Sequence, residues 1–181
     1  MKKGYSNIQE LLKNELLRDE DETTRVLIEK LGGVRKRGYF TKNEFLKMCR
    51  WKSPRPLRHY KSNSEDQIRI ISKNVLSTKF EIRRISLLTS LKGVSIPVAS
   101  AILTLTDPAR YGVIDIRVWQ LLHHYGSVKT NPKGRKFSAS EWYTYLMKIR
   151  YYAKKLSATT RQVERTLFTH HKKIQEGTLY G

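Results

Sequence analysis

Helix-start signals recur along this 181-residue chain, and they constrain its fold more than any other feature. Thr41 with Glu44, Ser64 with Gln67 and Ser138 with Glu141 each set a hydroxyl three positions ahead of an acidic or amide side chain, the pattern of a reciprocal N-cap. Apolar residues follow each start at helical spacing: Phe45, Met48 and Cys49 in 42–51; Ile68, Ile71, Val75 and Leu76 after Ser64. Ser6 or Asn7 can cap a helix carrying Ile8, Leu11, Leu12 and Leu16. Asp21 starts one with Val26, Leu27 and Leu31 that stops at Gly32-Gly33. Residues 79–91 continue the pattern through Ile82, Ile85, Leu88 and Leu91. The stretch 96–106 is apolar almost all round, as in a central helix, and Asp107-Pro108 ends it. Asp115 stands at an N-cap before Ile116, Val118, Trp119 and Leu122. A long helix after Ser138 and a last one over about 160–174 complete the pattern. Pro54 and Pro56 predict a loop, and 127–137 reads as a surface loop. Only Tyr111-Gly112-Val113-Ile114 reads as extended. The class is all-α, with roughly eight to ten helices.

Charge narrows the partner. The net charge is +20, from 36 Lys and Arg against 16 Asp and Glu. Such an excess repels itself and points to a polyanion, with nucleic acid first, anionic membrane second and acidic protein third. It is uneven. Residues 1–33 hold six basic and seven acidic side chains, whereas 34–62 hold ten basic side chains against Glu44 alone. Cys49 is the single cysteine, which excludes an intrachain disulfide and any cysteine-built zinc or iron–sulfur site. No apolar run approaches the ~20 residues of a transmembrane helix. With a polar N-terminus, the chain is expected to be cytoplasmic, or nucleoid-associated in a prokaryote.

The most informative stretch is 87–126: helix, tight turn, apolar helix, Asp-Pro break, short extended piece, Asp-capped helix. In the turn Leu91-Lys92-Gly93-Val94-Ser95 the glycine permits a sharp reversal. Backbone N–H groups at such a turn, opening the next helix, can hold a phosphate. Ser95 is a fitting N-cap, and Pro97 falls where a missing N–H costs nothing.

Leu91-Lys92-Gly93-Val94-Ser95-Ile96-Pro97-Val98-Ala99 resembles the hairpin of the helix-hairpin-helix DNA glycosylases, the endonuclease III-like superfamily. Their usual form is Leu-Pro-Gly-Val-Gly, three variable residues, then Ala. An apolar helix follows, then a Val-Asp-x-x-Val segment with a catalytic aspartate. Here that segment is Val113-Ile114-Asp115-Ile116-Arg117-Val118, and 22 positions separate Gly93 from Asp115, a spacing similar to the family's. The resemblance covers about 40 residues, those of the hairpin stretch. Ser95 replaces the second hairpin glycine. The lysine with which bifunctional members form a Schiff base falls at Pro97, so the family's usual amine is absent.

The resemblance implies a two-lobed all-α fold with the active site in the cleft. A lobe of 23–114 ends in the hairpin, and 1–22 with 115–181 form the other. It implies a monofunctional glycosylase, without lyase activity and without a cofactor, acting as a monomer on a damaged or modified base flipped out of double-stranded DNA. Breaking an N-glycosidic bond builds positive charge on the sugar, and a fixed carboxylate, Asp115, stabilises that charge and orients water. Lys92, Gly93, Val94 and Ser95 grip the DNA backbone, with a monovalent cation on the hairpin backbone at Leu91 and Val94 as a further implication. Lys52, Arg55 and Arg117 add phosphate contacts.

Each feature also has a plainer reading. A lone Asp before an apolar helix is usually only a cap, and a glycine turn can simply join helices. A non-catalytic helix-hairpin-helix DNA-binding protein and a basic RNA-binding helical protein therefore stand as alternatives. Arg50-Trp51-Lys52-Ser53-Pro54-Arg55-Pro56 reads either as a helix end with a packed Trp51, or as a cleft loop with Trp51 beside the extruded base. It resembles a Trp-Lys-x-Pro-Arg pattern upstream of the same hairpin in uncharacterised bacterial members. His123-His124 and His170-His171 are poor chelates, because neighbours on a helix point about 100° apart. Tyr143, Tyr145, Tyr151 and Tyr152 read as core with a basic rim. Arg161, Arg165, Lys172 and Lys173 read as a solvated face or a phosphate stripe. Cys49 reads as an inert core thiol.

Overall fold

A computed structural model describes residues 4–176 and Leu179; residues 1–3, 177, 178, 180 and 181 of the expected second lobe lie outside the described residues. Eleven helices and no strand form among the described residues. They are α1 (Ile8–Glu15), α2 (Glu22–Leu31), α3 (Val34–Arg37), α4 (Lys42–Lys52), α5 (Leu57–Lys61), α6 (Glu65–Ser77), α7 (Glu81–Thr89), α8 (Ile96–Thr106), α9 (Ile116–His124), α10 (Ala139–Lys155) and α11 (Thr160–Ile174). None is long and apolar enough to cross a membrane.

The three reciprocal caps at Thr41, Ser64 and Ser138 form, and Thr159 with Gln162 makes a fourth at α11. Asn7 rather than Ser6 caps α1. α2 does stop at Gly32, but in right-handed backbone, and the short α3 follows. The left-handed residue is Gly38, at the end of α3. The sequence reading missed α3 and α5, each too short to show a helical period, so the helices number more than expected. α7 spans 81–89 rather than 79–91; Ile82 lies exposed while Ile85 and Leu88 are buried.

α8 is buried on nearly every side, as its uniform apolarity requires, and receives α2, α4 and α7. α6 packs on α4 and α7. α11 receives α1, α9 and α10, and the α7–α10 contact connects the two sets. A part-buried ion cluster reinforces that connection: Glu81 of α7 accepts from Arg150 of α10 at 2.8 Å, from Arg110 at 3.2 Å and from the Tyr111 hydroxyl at 2.7 Å.

Residues 111–114 form neither helix nor strand; side chains bond their backbone instead. Ile114 N–H donates to Ser100 Oγ (3.1 Å), Tyr145 Oη donates to the Val113 carbonyl (2.7 Å) and Thr160 Oγ1 to the Tyr111 carbonyl (2.7 Å). α8, α10 and α11 thus hold the segment from three sides and fix the start of α9. The loop 127–137 is more packed than a surface loop: Val128 and Phe137 are buried, and Trp119 Nε1 donates to the Asn131 carbonyl at 2.9 Å.

Candidate active site

Asp115 is the N-cap of α9. Its Oδ1 accepts from the Arg117 amide at 3.0 Å, so the capping role is real. Its Oδ2 accepts from Lys52 Nζ at 2.7 Å, and each side chain is about one-fifth exposed. Both ends of the carboxylate are therefore fixed, one by backbone and one by a cation from the end of α4.

The pair opens into a cavity of about 350 Å3 whose walls include Trp51, Val113, Arg161, Glu164 and Phe168. That volume lies within the roughly 300–1,000 Å3 typical of small-molecule sites. Trp51 is half-buried; its Nε1 donates to Thr24 Oγ1 at 2.9 Å, and the Arg161 guanidinium sits 5.3 Å from its ring. A larger hollow of about 540 Å3 lies between α9 and the end of α11, among Gln120, His123 and His171. Its walls also carry Lys133 and Glu176, whereas the smaller cavity holds the Lys52–Asp115 ion pair beside Trp51 and Phe168.

The cavity floor is an ion network that the sequence reading did not resolve. Arg161, read there as surface charge, is buried and donates to Glu164 at 2.5 Å and to Glu20 at 2.6 Å. Burial works to lower its pKa, but the two carboxylates raise it beyond the usual guanidinium value. Burial pushes the Glu164 carboxyl up, and Arg161 opposes that. Only the apolar spacing around Val163 and Leu167 hinted that this face of α11 turns inward.

Gly93 adopts φ +84°, as the sharp reversal requires, and a Cβ there would come within 2.9 Å of His59 Cβ. The turn is latched from outside by Asn63, a residue the sequence reading passed over. Its Oδ1 accepts from the Lys92 amide at 2.8 Å, and its Nδ2 donates to the Lys92 carbonyl at 3.1 Å. The Val94 amide donates to the Leu91 carbonyl at 3.1 Å, so both Leu91 and Val94 are engaged within the turn. Ser95 holds the N-cap position, but its hydroxyl makes no capping hydrogen bond, contrary to expectation.

The expected DNA contacts separate into two groups. Lys92, Gly93, Ser95 and Arg55 are exposed, whereas Val94 is buried with its amide spent on the Leu91 carbonyl, contrary to expectation. Lys52 is drawn into the cavity by Asp115, and Arg117 turns to α11, where it donates to Gln175 Oε1 and lies 5.7 Å from the Phe168 ring. Among the four tyrosines, Tyr145 and Tyr152 are buried while Tyr143 and Tyr151 are exposed. Cys49 is buried, and burial pushes its thiol pKa well up. In comparisons with known protein families, curated proteins and solved structures, no match to this chain is found.

Proposed function

We propose that the chain is a DNA glycosylase that hydrolyses the N-glycosidic bond of a damaged or modified base flipped out of duplex DNA. One observation carries the reading. Asp115, 22 positions beyond the hairpin glycine, presents a doubly anchored carboxylate in a cavity walled by Trp51 and Phe168. A carboxylate fixed before the reaction stabilises the developing sugar cation without reorganising. The aromatic walls suit a flipped base.

In this reading 23–114 form one lobe, and 1–22 with 115–181 form the other. The packing of α2, α4 and α7 on α8, and of α1, α9 and α10 on α11, supports that division. DNA lies across the cleft. The amides of the exposed residues Gly93 and Ser95 take a phosphate, and Lys92 and Arg55 add charge. The protein works as a monomer inside the cell.

The test is an Asp115→Asn protein on genomic DNAs bearing different lesions and modifications, with released bases identified by mass spectrometry. The variant is expected to bind duplex DNA and release no base. Full release by the variant overturns the assignment. A second reading draws on Asp115 Oδ1, which caps α9 as a merely structural aspartate would. In that reading the chain binds DNA without chemistry, and the native protein releases no base from any of the DNAs.

A further inference from the structure

Trp51 lines two hollows. One is the Asp115 cavity; the other is an open groove of about 650 Å3, with Val26, Leu27 and Lys30 of α2 along one side and Lys47 and Arg50 of α4 along the other. α2 and α4 both pack on α8, and the groove lies between them. Val26, Leu27 and Leu31 have the spacing of a core-facing stripe, yet Leu31 alone of the three is buried. Val26 and Leu27 stay half-buried and, with Trp51, give the groove its apolar surface.

The Arg161 guanidinium lies over one face of the Trp51 ring, 5.3 Å from its centroid, and it belongs to the cavity wall and not to the groove. The groove therefore meets the indole on the side that Arg161 leaves open, where a flat ring can stack. Lys30, Lys47 and Arg50 are exposed around that surface. The one acid on the groove wall, Glu22, is engaged by Arg25 at 2.7 Å, so the groove keeps an excess of positive charge. An aromatic face ringed by cations is the combination that holds unpaired nucleotides, the ring taking the base and the cations the phosphates. An acidic helix would match the charge, but Val26, Leu27 and Trp51 are too few for the row of apolar anchors with which a helix docks.

We propose that the groove between α2 and α4 is a nucleotide site separate from the Asp115 cavity, and that it takes an unpaired nucleotide of a DNA strand. The base lies on Trp51, Val26 and Leu27, and the flanking phosphates lie against Lys30, Lys47 and Arg50. The inference rests on the reading of the chain as a DNA-binding protein and deepens it. A strand that places one nucleotide in the cavity lays a neighbour on the far side of the same tryptophan, so the preferred substrate is DNA whose strand is already locally unpaired. Every base has a face to stack, so the groove selects the unpaired state rather than a sequence.

The test uses the full-length protein with a single-stranded oligothymidylate and, in parallel, a blunt duplex of the same length, each titrated over a series of salt concentrations. One thymidine carries a diazirine, which on irradiation inserts into a neighbouring C–H bond. The single strand is expected to cross-link to α2 within residues 26–30, a segment that lines the groove and not the cavity. Lys30→Ala combined with Lys47→Ala should lower the magnitude of the slope of log K against log salt for the single strand by about 1.4, about 0.7 for each phosphate no longer neutralised. Trp51→Ala should weaken single-strand binding about 10-fold or more through lost stacking. If Trp51→Ala does not fold, the cross-link map and the lysine variant still decide. No binding of the single strand, cross-links confined to segments outside the groove, or an unchanged salt slope in the lysine variant overturns the proposal; the last is the result expected of a groove that receives an acidic protein surface. Strand binding needs no chemistry, so base release, measured separately, tests the glycosylase reading by itself.

Discussion

Lys52 and Asp115 stand 63 positions apart in the chain and 2.7 Å apart in space. The contact joins the end of α4 to the start of α9, so the helix that follows the hairpin and the basic helix ahead of it meet at one carboxylate. The same carboxylate caps α9 through the Arg117 amide. The cap and the ion pair use different oxygens.

Asp115→Asn keeps the capping acceptor, since Asn is as good an N-cap as Asp, and should melt close to the native protein. Asp115→Ala loses the cap and should cost about 1 kcal/mol in denaturant unfolding. On the proposed function both should reduce base release by about 100-fold or more, because the charge proposed to stabilise the sugar cation is gone from both. Equal stability losses in the two variants would contradict the division of roles.

Gly112 packs against α10 and α11, where a Cβ would lie 2.8 Å from Ile149 Cδ1 and 2.9 Å from Glu164 Cβ. Its backbone is not left-handed, so the constraint is space rather than φ. Gly112→Ala should destabilise by about 1–3 kcal/mol through overpacking. Thermal unfolding checks this, and an unchanged Tm would mean that the segment 111–114 is not clamped as described.

Asn63 is nearly fully buried, and its side chain bridges both backbone groups of Lys92. Asn63→Ala should cost about 1 kcal/mol, since two hydrogen bonds that latch the part-buried Lys92 backbone are lost. Amide hydrogen exchange at the turn should quicken. DNA affinity should fall, while the slope of log K against log salt stays the same, because no charge is removed. Lys92→Ala should instead change the slope, reducing its magnitude by about 0.9 because one fewer phosphate is neutralised.

Glu81 ties α7 to α10. Burial works to raise its pKa, but Tyr111, Arg150 and Arg110 together hold it below the usual carboxylate value. A folded pKa below the unfolded one means that the contribution is complete above the unfolded value and is lost as pH falls through the folded one. Glu81→Gln should destabilise by about 1 kcal/mol near neutral pH, since it removes the charge that the part-exposed Arg150 and Arg110 face. The gap between native and variant proteins should stay level through neutral pH and close only as pH falls below the ordinary carboxylate range, as expected for a depressed carboxylate. Chemical denaturation across that range measures it.

Local physics decides what the sequence makes legible. Thr41, Ser64, Ser138 and Asp115 announce helix starts because a cap needs only its own side chain and the amides two or three residues on. Gly93 announces a turn because a positive φ is a property of one residue. α8 announces its central position because no face of it is polar. Where a partner lies far along the chain, that legibility ends. Residues 111–114 look like a strand in isolation, and only Ser100, Tyr145 and Thr160 turn them into a clamped connector. Arg161 looks like surface charge until Glu20 and Glu164 close on it. Lys52 looks like one more phosphate contact among the ten basic residues of 34–62. The sequence by itself determined a basic, all-helical chain with its hairpin and one well-spaced acid, because caps, periods and turns act over a few residues. Only the tertiary structure decided which cation faces that acid and what walls surround it, because close packing brings together side chains whose separation along the chain carries no signal.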